Sequence, residues 1–581
     1  MSWSQLFRRK SIETLVGEMH AEKRLHRVLG PVSLMSLGVG AIIGAGIFVM
    51  TGRVAAEDAG PAVMLSFIVA GFACALAALC YSEFAAMVPV AGSAYTYTYA
   101  TLGELAAWII GWDLILEYSM SCATVAAGWT HYFNEFLKVT TGYQLIPQIS
   151  ADPFTPFTAV SGEVIQTWCN LPAMLIIGLV TYILVIGIRE SALTNTILVI
   201  IKLAVVVLVI GLGVGYINSD NYTRVPVENR NVSVAGDYLE RHPEIAQKLP
   251  QKTLTPYTTG KDLLKQHPEQ FEHLSKAERA KLEDVKSLDE KIGMIGVLGL
   301  RDKMESIDNK YRSPFMPYGI SGIMVGAALV FFAYIGFDSI STHSEEAINP
   351  QRDVPLAILG SLTLCTVLYI LVSAVITGME PYHQIDTKAA IASAFRKQVE
   401  LHPSPLLRFA TALISTGALA GLTSVLLVTF LSQARVFLAM ARDGLLPKNI
   451  FSVVHEKYRT PHRSTILTGV FIMLTAGFMP MKILGEMVSI GTLMAFALVC
   501  ASVLMLRVNR PDVHRPFRCP AVWIVAPLGV MANVLMMLFL PMGTWIRLVV
   551  WLALGMVFYF AYGARHSSLR QAEAAAEAGR P

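Results

Sequence analysis

Four ionisable residues stand inside long apolar runs of this sequence. Lys202 lies in NTILVIIKLAVVV, Asp113 and Glu117 in GWDLILEY, and Asp338 closes FFAYIGFD. Such groups are costly in hydrocarbon and mark ion or substrate pathways when they occur there. Burial disfavours the charged form of an amine, so a lysine at this depth can load and release a proton. The competing reading is that its stem snorkels to the polar boundary, roughly 13 Å away at 1.5 Å per residue. Asp113 and Glu117 are four apart and share a helical face. A carboxylate there can receive a cationic side chain, or the pair can simply bond neighbouring helices. Asp338 is placed to bond backbone N–H groups freed by a helix break.

The second chemical signal is glycine. LGVGAIIGAGIFVMTG, residues 37–52, and VGAALVFFAYIGFDS, residues 325–339, are apolar yet interrupted by glycines such as Gly44, Gly46 and Gly336. Glycine costs a helix about 1 kcal/mol relative to alanine. Where a helix unwinds in a membrane, its freed N–H and C=O groups must line a cavity. A half-helix N-terminus suits a carboxylate, and free carbonyls suit an ammonium. A site with both suits a zwitterion. Alone, Gly40-xxx-Gly44 is also a small-residue packing face; its pairing with a second interrupted run five spans later favours a site.

These residues need helices to hold them. The chain has 581 residues, 54% hydrophobic and 15% charged, with mean hydropathy +0.53. About 20 apolar residues cross a bilayer. The pattern predicts an all-α integral membrane fold with about twelve transmembrane helices, at 33–53, 62–88, 102–127, 170–188, 193–216, 316–341, 354–378, 405–435, 464–481, 484–507, 520–541 and 545–564. Lysine and arginine gather in alternate short loops, at Arg8, Arg9 and Lys10, at Arg352, from Arg442 to Arg463, and from Arg507 to Arg518. The positive-inside rule therefore puts both termini, 1–32 and 565–581, in the cytoplasm. The first 32 residues lack an apolar core and read as a cytosolic lead-in, not a cleavable signal peptide.

Residues 33–216 form a first half with spans one to five, 316–507 a second half with spans six to ten, and 520–564 hold two further spans. Between the halves, 217–315 is a polar outer insert too long for an ordinary loop. Ser275-Lys276-Ala277-Glu278 resembles a capping box, followed by Leu282, Val285 and Ile292 near helical spacing. A small helical unit and a disordered segment are both open there.

Other classes find little support. The spacing GVGAIIGAG is not GxGxxG, and no P-loop occurs. The seven cysteines, Cys74, Cys80, Cys122, Cys169, Cys365, Cys500 and Cys519, form no CxxC pair, so neither a disulfide framework nor a metal site is expected. No enzyme constellation and no nucleic-acid partner are indicated. A channel, or a sensor whose insert engages a partner, remains the rival to a carrier.

At GAIIGAGIF (40–48), LCYSEFAAMVPVAGSAYTYTY (79–99), GWDLILEY (111–118), FFAYIGFDS with EEAINPQRDVP (331–355), ARDGLLP (441–447) and RPFRCP (515–520), the chain resembles the cationic amino acid transporter family of the amino acid–polyamine–organocation superfamily. The motifs run in family order over nearly the whole chain, the insert excepted. The resemblance implies a five-plus-five inverted repeat with discontinuous helices one and six, and amino acid transport by alternating access. It implies that amides around Ile43, Gly44, Ala45 and Gly46 take the substrate carboxylate, and that carbonyls of Phe332, Ala333 and Ile335 take the α-amino group. It brings Glu117 near the pocket. It makes Lys202 the proton-coupling group, with the proton as coupling ion and no other cofactor, and Thr423 and Ser424 of span eight as expected neighbouring oxygens. Cationic or small neutral amino acids are the implied substrates. Arg435, Arg442 and Asp443 are expected beside Glu345, Glu346 and Arg352, as an inner gate or a solvated loop, and Glu83 as a gate or packing residue. The setting is a lipid bilayer, by style of sequence a bacterial inner membrane.

Overall fold

The computed structural model describes residues 8–10, 29–88, 93–155, 157–158, 164–186, 192–223, 264–265, 268–271, 275, 279, 293–458 and 460–571. The capping-box positions 276–278 and the periodic residues Leu282, Val285 and Ile292 lie outside these residues, as does the side chain of Glu345.

The described chain is overwhelmingly helical. Its longer helices are α1 (Pro31–Ile42), α2 (Val63–Met87), α3 (Ser93–Thr101), α4 (Glu104–Thr141), α5 (Leu171–Ile186), α6 (Ala192–Gly213), α7 (Arg301–Tyr311), α8 (Gly319–Val330), α9 (Pro350–Met379), α10 (Ala390–Leu401), α11 (Pro405–Arg442), α12 (His462–Phe478), α13 (Met481–Asn509), α14 (Val522–Leu538) and α15 (Met542–Phe558). Among the described residues, seven helical stretches are long and apolar enough to cross a membrane: Pro31–Met87, Val199–Tyr216, Gly319–Thr342, Pro350–Met379, Pro405–Arg442, Met481–Asn509 and Met542–Gln571. The first of these holds the predicted spans one and two in one 57-residue run, and Leu171–Ile186 and Val522–Leu538 are shorter apolar helices. A two-residue antiparallel pair, β1 (Phe157–Thr158) with β2 (Val164–Ile165), decorates the α4–α5 connection, an addition the sequence did not announce.

Several helices outrun their predicted spans. α4 runs to Thr141, where Gly142 at φ +75° ends it, and α11 covers 38 residues. At 1.5 Å per residue each is about 57 Å long, more than a bilayer needs. These two helices lie along each other, and α13 packs on α4 as well; α9 lies along α2 and α1, and α5 along α12. Exposed Leu, Ile, Val and Phe side chains on α5, α6, α12, α14 and α15 form the outer surface, as expected of a bundle whose solvent is lipid.

The insert's last helix is tied to the bundle. Asp308 of α7 accepts the backbone N–H of Ser321, at the start of α8, at 2.9 Å, and so caps that helix from outside. Burial pushes the Asp308 carboxyl above its ordinary range.

Candidate functional site

Both glycine-marked helices are broken. α1 ends at Ile42; Ile43 is extended (φ −74°, ψ 96°), and the chain resumes through a π-helical stretch at Gly46–Met50. α8 ends at Val330, passes through a 3-10 turn at Phe331–Tyr334, and Ile335 is extended. Gly336 then takes φ +118°, a conformation that strains any residue with a Cβ.

The two breaks face each other. A Cβ on Gly46 would lie 2.3 Å from Ala333 Cα, and one on Gly336 would lie 2.8 Å from the Ala41 carbonyl carbon. Glycine is required here because one broken backbone crosses the other. Ile43, Ala45, Phe332, Ala333 and Ile335 are all buried at this crossing, as is Gly44.

A break orphans carbonyls that a continuous helix would satisfy. Side chains from other helices take them. Lys202 of α6 is fully buried, and its Nζ donates to Gly40 O at 2.6 Å and Ile43 O at 3.2 Å. The snorkelling alternative is overturned: the ammonium points at the break of α1, not at the interface. Thr423 and Ser424 are not its partners. Thr423 donates to Leu419 O and accepts Trp129 Nε1–H, and no hydrogen bond is described for Ser424 Oγ. α11 instead meets the lysine stem through Gly421, whose Cβ would come 3.4 Å from Lys202 Cγ.

Tyr369 of α9 is a residue the sequence reading missed. Its hydroxyl lies 2.8 Å from Ile42 O and 2.8 Å from Ala333 O, one carbonyl from each break. It has one hydrogen for two acceptors. The available signal was a lone tyrosine in LCTVLYILVSAV, since a buried phenol needs a partner. Tyr132 of α4 likewise donates to Phe48 O at 2.7 Å.

Asp338 holds the second break. Its Oδ1 accepts Gly336 N–H at 3.2 Å, and its Oδ2 accepts the Tyr118 hydroxyl of α4 at 2.5 Å. Asp113 and Glu117 share the inward side of α4, fully buried, and no hydrogen bond is described for their carboxyl oxygens. Asp113 lies against Gly491 of α13, whose Cβ would come 2.8 Å from Oδ1. Thus Lys202, Tyr369 and Asp338 bond the broken segments directly, and Glu117 directly precedes Tyr118, the partner of Asp338. Among the described residues, no group of three or more His, Cys, Asp or Glu side chains could hold a metal ion.

The arginine-rich end of the bundle is closed by polar contacts. Arg435 of α11 bonds Glu346 at 2.9 Å and Thr342 O at 3.3 Å. Asp443 accepts Lys10 Nζ at 2.8 Å and the Tyr95 hydroxyl at 2.7 Å. Glu83, buried at the end of α2, accepts Arg507 through both oxygens at 2.9 and 2.7 Å and Cys519 N–H at 2.7 Å, with Arg515 Nε at 3.2 Å. Glu83 is thus an ion-pair anchor that ties α2 to the end of α13 and the RPFRCP segment.

Residues 29–242 and 292–560 match the family model described as amino acid permease. The chain is 36% identical over 569 residues to a methylthioribose transporter of Bacillus subtilis, covering 98% of this chain and 100% of that protein. It is 37% identical to the branched-chain amino acid permease BcaP of the same organism, over 97% and 99% of the two chains. The vacuolar cationic amino acid transporter 4 of Arabidopsis thaliana is 33% identical over 88% of this chain and 68% of its own.

Proposed function

The chain belongs to the amino acid permease family, a family of multi-pass membrane transporters and not enzymes, and from that premise we propose that it takes up amino acids across the cytoplasmic membrane by alternating access coupled to protons. The observation that carries the reading is Lys202, fully buried with its Nζ on the carbonyls of Gly40 and Ile43. A fixed cation at the break occupies the carbonyls that a coupling sodium ion would use, so the movable charge is the amine's own proton.

In this reading the substrate lies at the crossing. Its carboxylate meets the amides from Ile43 to Gly46, and its ammonium meets the carbonyls of Phe332, Ala333 and Ile335. A backbone site of this kind grips the common part of every amino acid and leaves selectivity to the side-chain wall. Small neutral and cationic L-amino acids are the proposed substrates, with Glu117 receiving a cationic side chain; the branched-chain relative makes leucine a further test case. Twelve spans in a five-plus-five inverted repeat are supported by the pairing of α2 with α9, α4 with α11 and α5 with α12, each the helix of one half beside its counterpart. The termini are assigned to the cytoplasm on the arginine-rich end.

The test is uptake of labelled alanine, arginine and leucine into proteoliposomes under an inward proton gradient, a sodium gradient or neither, for wild type and Lys202→Ala. Accumulation driven by protons and lost in the variant is expected. Sodium-driven uptake, or proton-driven uptake that survives the substitution, overturns the coupling role. No uptake of any label overturns the substrate class.

A further inference from the structure

Two short helices tie the bundle together at opposite ends. α3, between α2 and α4, reaches the residue just past α11 through Tyr95, whose hydroxyl donates to Asp443 at 2.7 Å. α10, between α9 and α11, reaches the far end of α4 through Arg396, whose Nε donates to Glu135 Oε2 at 3.1 Å. α10 also lies against the turn Thr51–Val54 that continues α1 beyond its break: a Cβ on Gly52 would come 2.1 Å from Ala390 Cβ. Its residues from Ala390 to Phe395 are all buried. Beside them Tyr132 of α4, which donates to Phe48 O, meets the backbone of Ile391 and Ala392. α10 therefore covers the crossing from the end opposite the arginine-rich one.

Both charges of this tie have a second partner. Glu135 is buried, and its other oxygen accepts Lys138 Nζ of the same helix at 2.6 Å. Arg396 Nη1 donates to Glu400 of its own helix at 2.8 Å. Lys397 bonds Glu380 and Gln384 O, each at 2.9 Å, on the chain that leads into α10. Breaking a buried pair is costly when it strands a charge. Separating α10 from α4 strands neither: Glu135 keeps Lys138, and Arg396 keeps Glu400.

We propose that Glu135 and Arg396 form a releasable ionic latch that holds α10 over the crossing, with the Lys397–Glu380 side as the hinge. The proposal rests on the alternating-access reading, in which one end of the site opens while the other stays shut. Because each ion keeps a partner on its own helix, the latch weighs the closed state by one partly exposed pair and biases the equilibrium without locking it.

The test uses the full chain purified in detergent, carrying Cys169→Ser and the reporter Ala394→Cys on the buried part of α10. Cys169 is the half-buried cysteine, and the others are buried. The labelling rate with a water-soluble maleimide reads the opening, and mass spectrometry of peptides locates the label. Arg396→Gln and Glu135→Gln are each expected to label the reporter about fivefold faster. Glu400→Gln is expected to label it more slowly, because the open state then leaves Arg396 alone while the closed state still offers Glu135. Equal rates in all variants, or faster labelling in Glu400→Gln, overturn the proposal. Labelling of the fully buried Cys122 in step with the reporter shows general loosening and also overturns it. A second reporter, Ala392→Cys, replaces the first if that variant does not elute as a monodisperse species. Labelling needs no transport, so failure of the latch and failure of the uptake reading are told apart.

Discussion

Lys202 Nζ and Gly40 O lie 2.6 Å apart, joining the middle of α6 to the end of α1 at the point where α1 breaks. The lysine therefore has a structural duty as well as any part in coupling. Lys202→Met keeps the length and removes the donors, leaving two buried carbonyls unserved. The expected loss is about 1–3 kcal/mol for each orphaned group, read as a lower midpoint in thermal unfolding. Proton-driven uptake is expected to vanish in the same variant.

Tyr369→Phe removes a single hydrogen shared between the two breaks. The ring still fills its space, so the cavity term is small. A stability loss of about 1–3 kcal/mol is expected from the unsatisfied carbonyls, with a raised KM for uptake, since the breaks lose the atom that holds them in register. Unchanged KM and melting temperature would show that the bridge is dispensable.

Gly46→Ala is expected to abolish transport, because the added methyl meets Ala333 Cα at 2.3 Å, a backbone contact that cannot swing aside. Gly211→Ala on α6 has open space around its Cβ and serves as the control that should transport normally. Uptake by the two variants in parallel separates a crowded crossing from a general cost of altering glycine.

Glu83→Gln strands Arg507 and Arg515 beside a neutral amide. Breaking a buried pair by removing one partner costs about 3–5 kcal/mol, and the partial exposure of Arg507 places the expected loss at the lower end. Thermal unfolding of purified protein measures it. Glu83→Ala should be worse, since it also abandons the Cys519 N–H.

Asp308 gives a pH signature. Burial raises its carboxyl pKa in the folded chain, so the native state holds this proton more tightly than the unfolded state. Stability from this group is therefore full at acid pH and falls as pH rises past the ordinary carboxylate value near 4. Asp308→Asn keeps an acceptor for Ser321 N–H and loses the titration. The melting-temperature difference, wild type minus variant, is expected to fall between pH 4 and pH 7; a flat difference would refute the assignment.

What could be read in the letters follows from what letters encode. The breaks at Ile43 and Ile335 were legible because glycines in apolar runs are expensive without a reason. The depth of Lys202 was legible from its position in an apolar stretch. Its partners were not: Thr423 and Ser424 were the visible oxygens nearby, but the acceptors are backbone carbonyls, which every residue carries and no letter marks. Glu83 and Cys519 are 436 residues apart in sequence, and nothing local predicts that the end of α2 meets the RPFRCP segment. The segment Arg8–Lys10 read only as charge, because two of its ties, Glu104 N–H to Arg8 O and Lys10 N–H to Tyr99 O, are main-chain bonds and the third joins Lys10 to an aspartate 433 residues away.

The two carbonyls held by Lys202 carry one more consequence. An ammonium has three hydrogens and a neutral amine has two. Two carbonyls ask for two. In the proposed proton-coupled cycle the group would give up one proton and still have a hydrogen for each of Gly40 and Ile43. Discharge in that cycle would weaken the grip on α1 without emptying it, so that the broken helix would loosen by degrees and not come adrift.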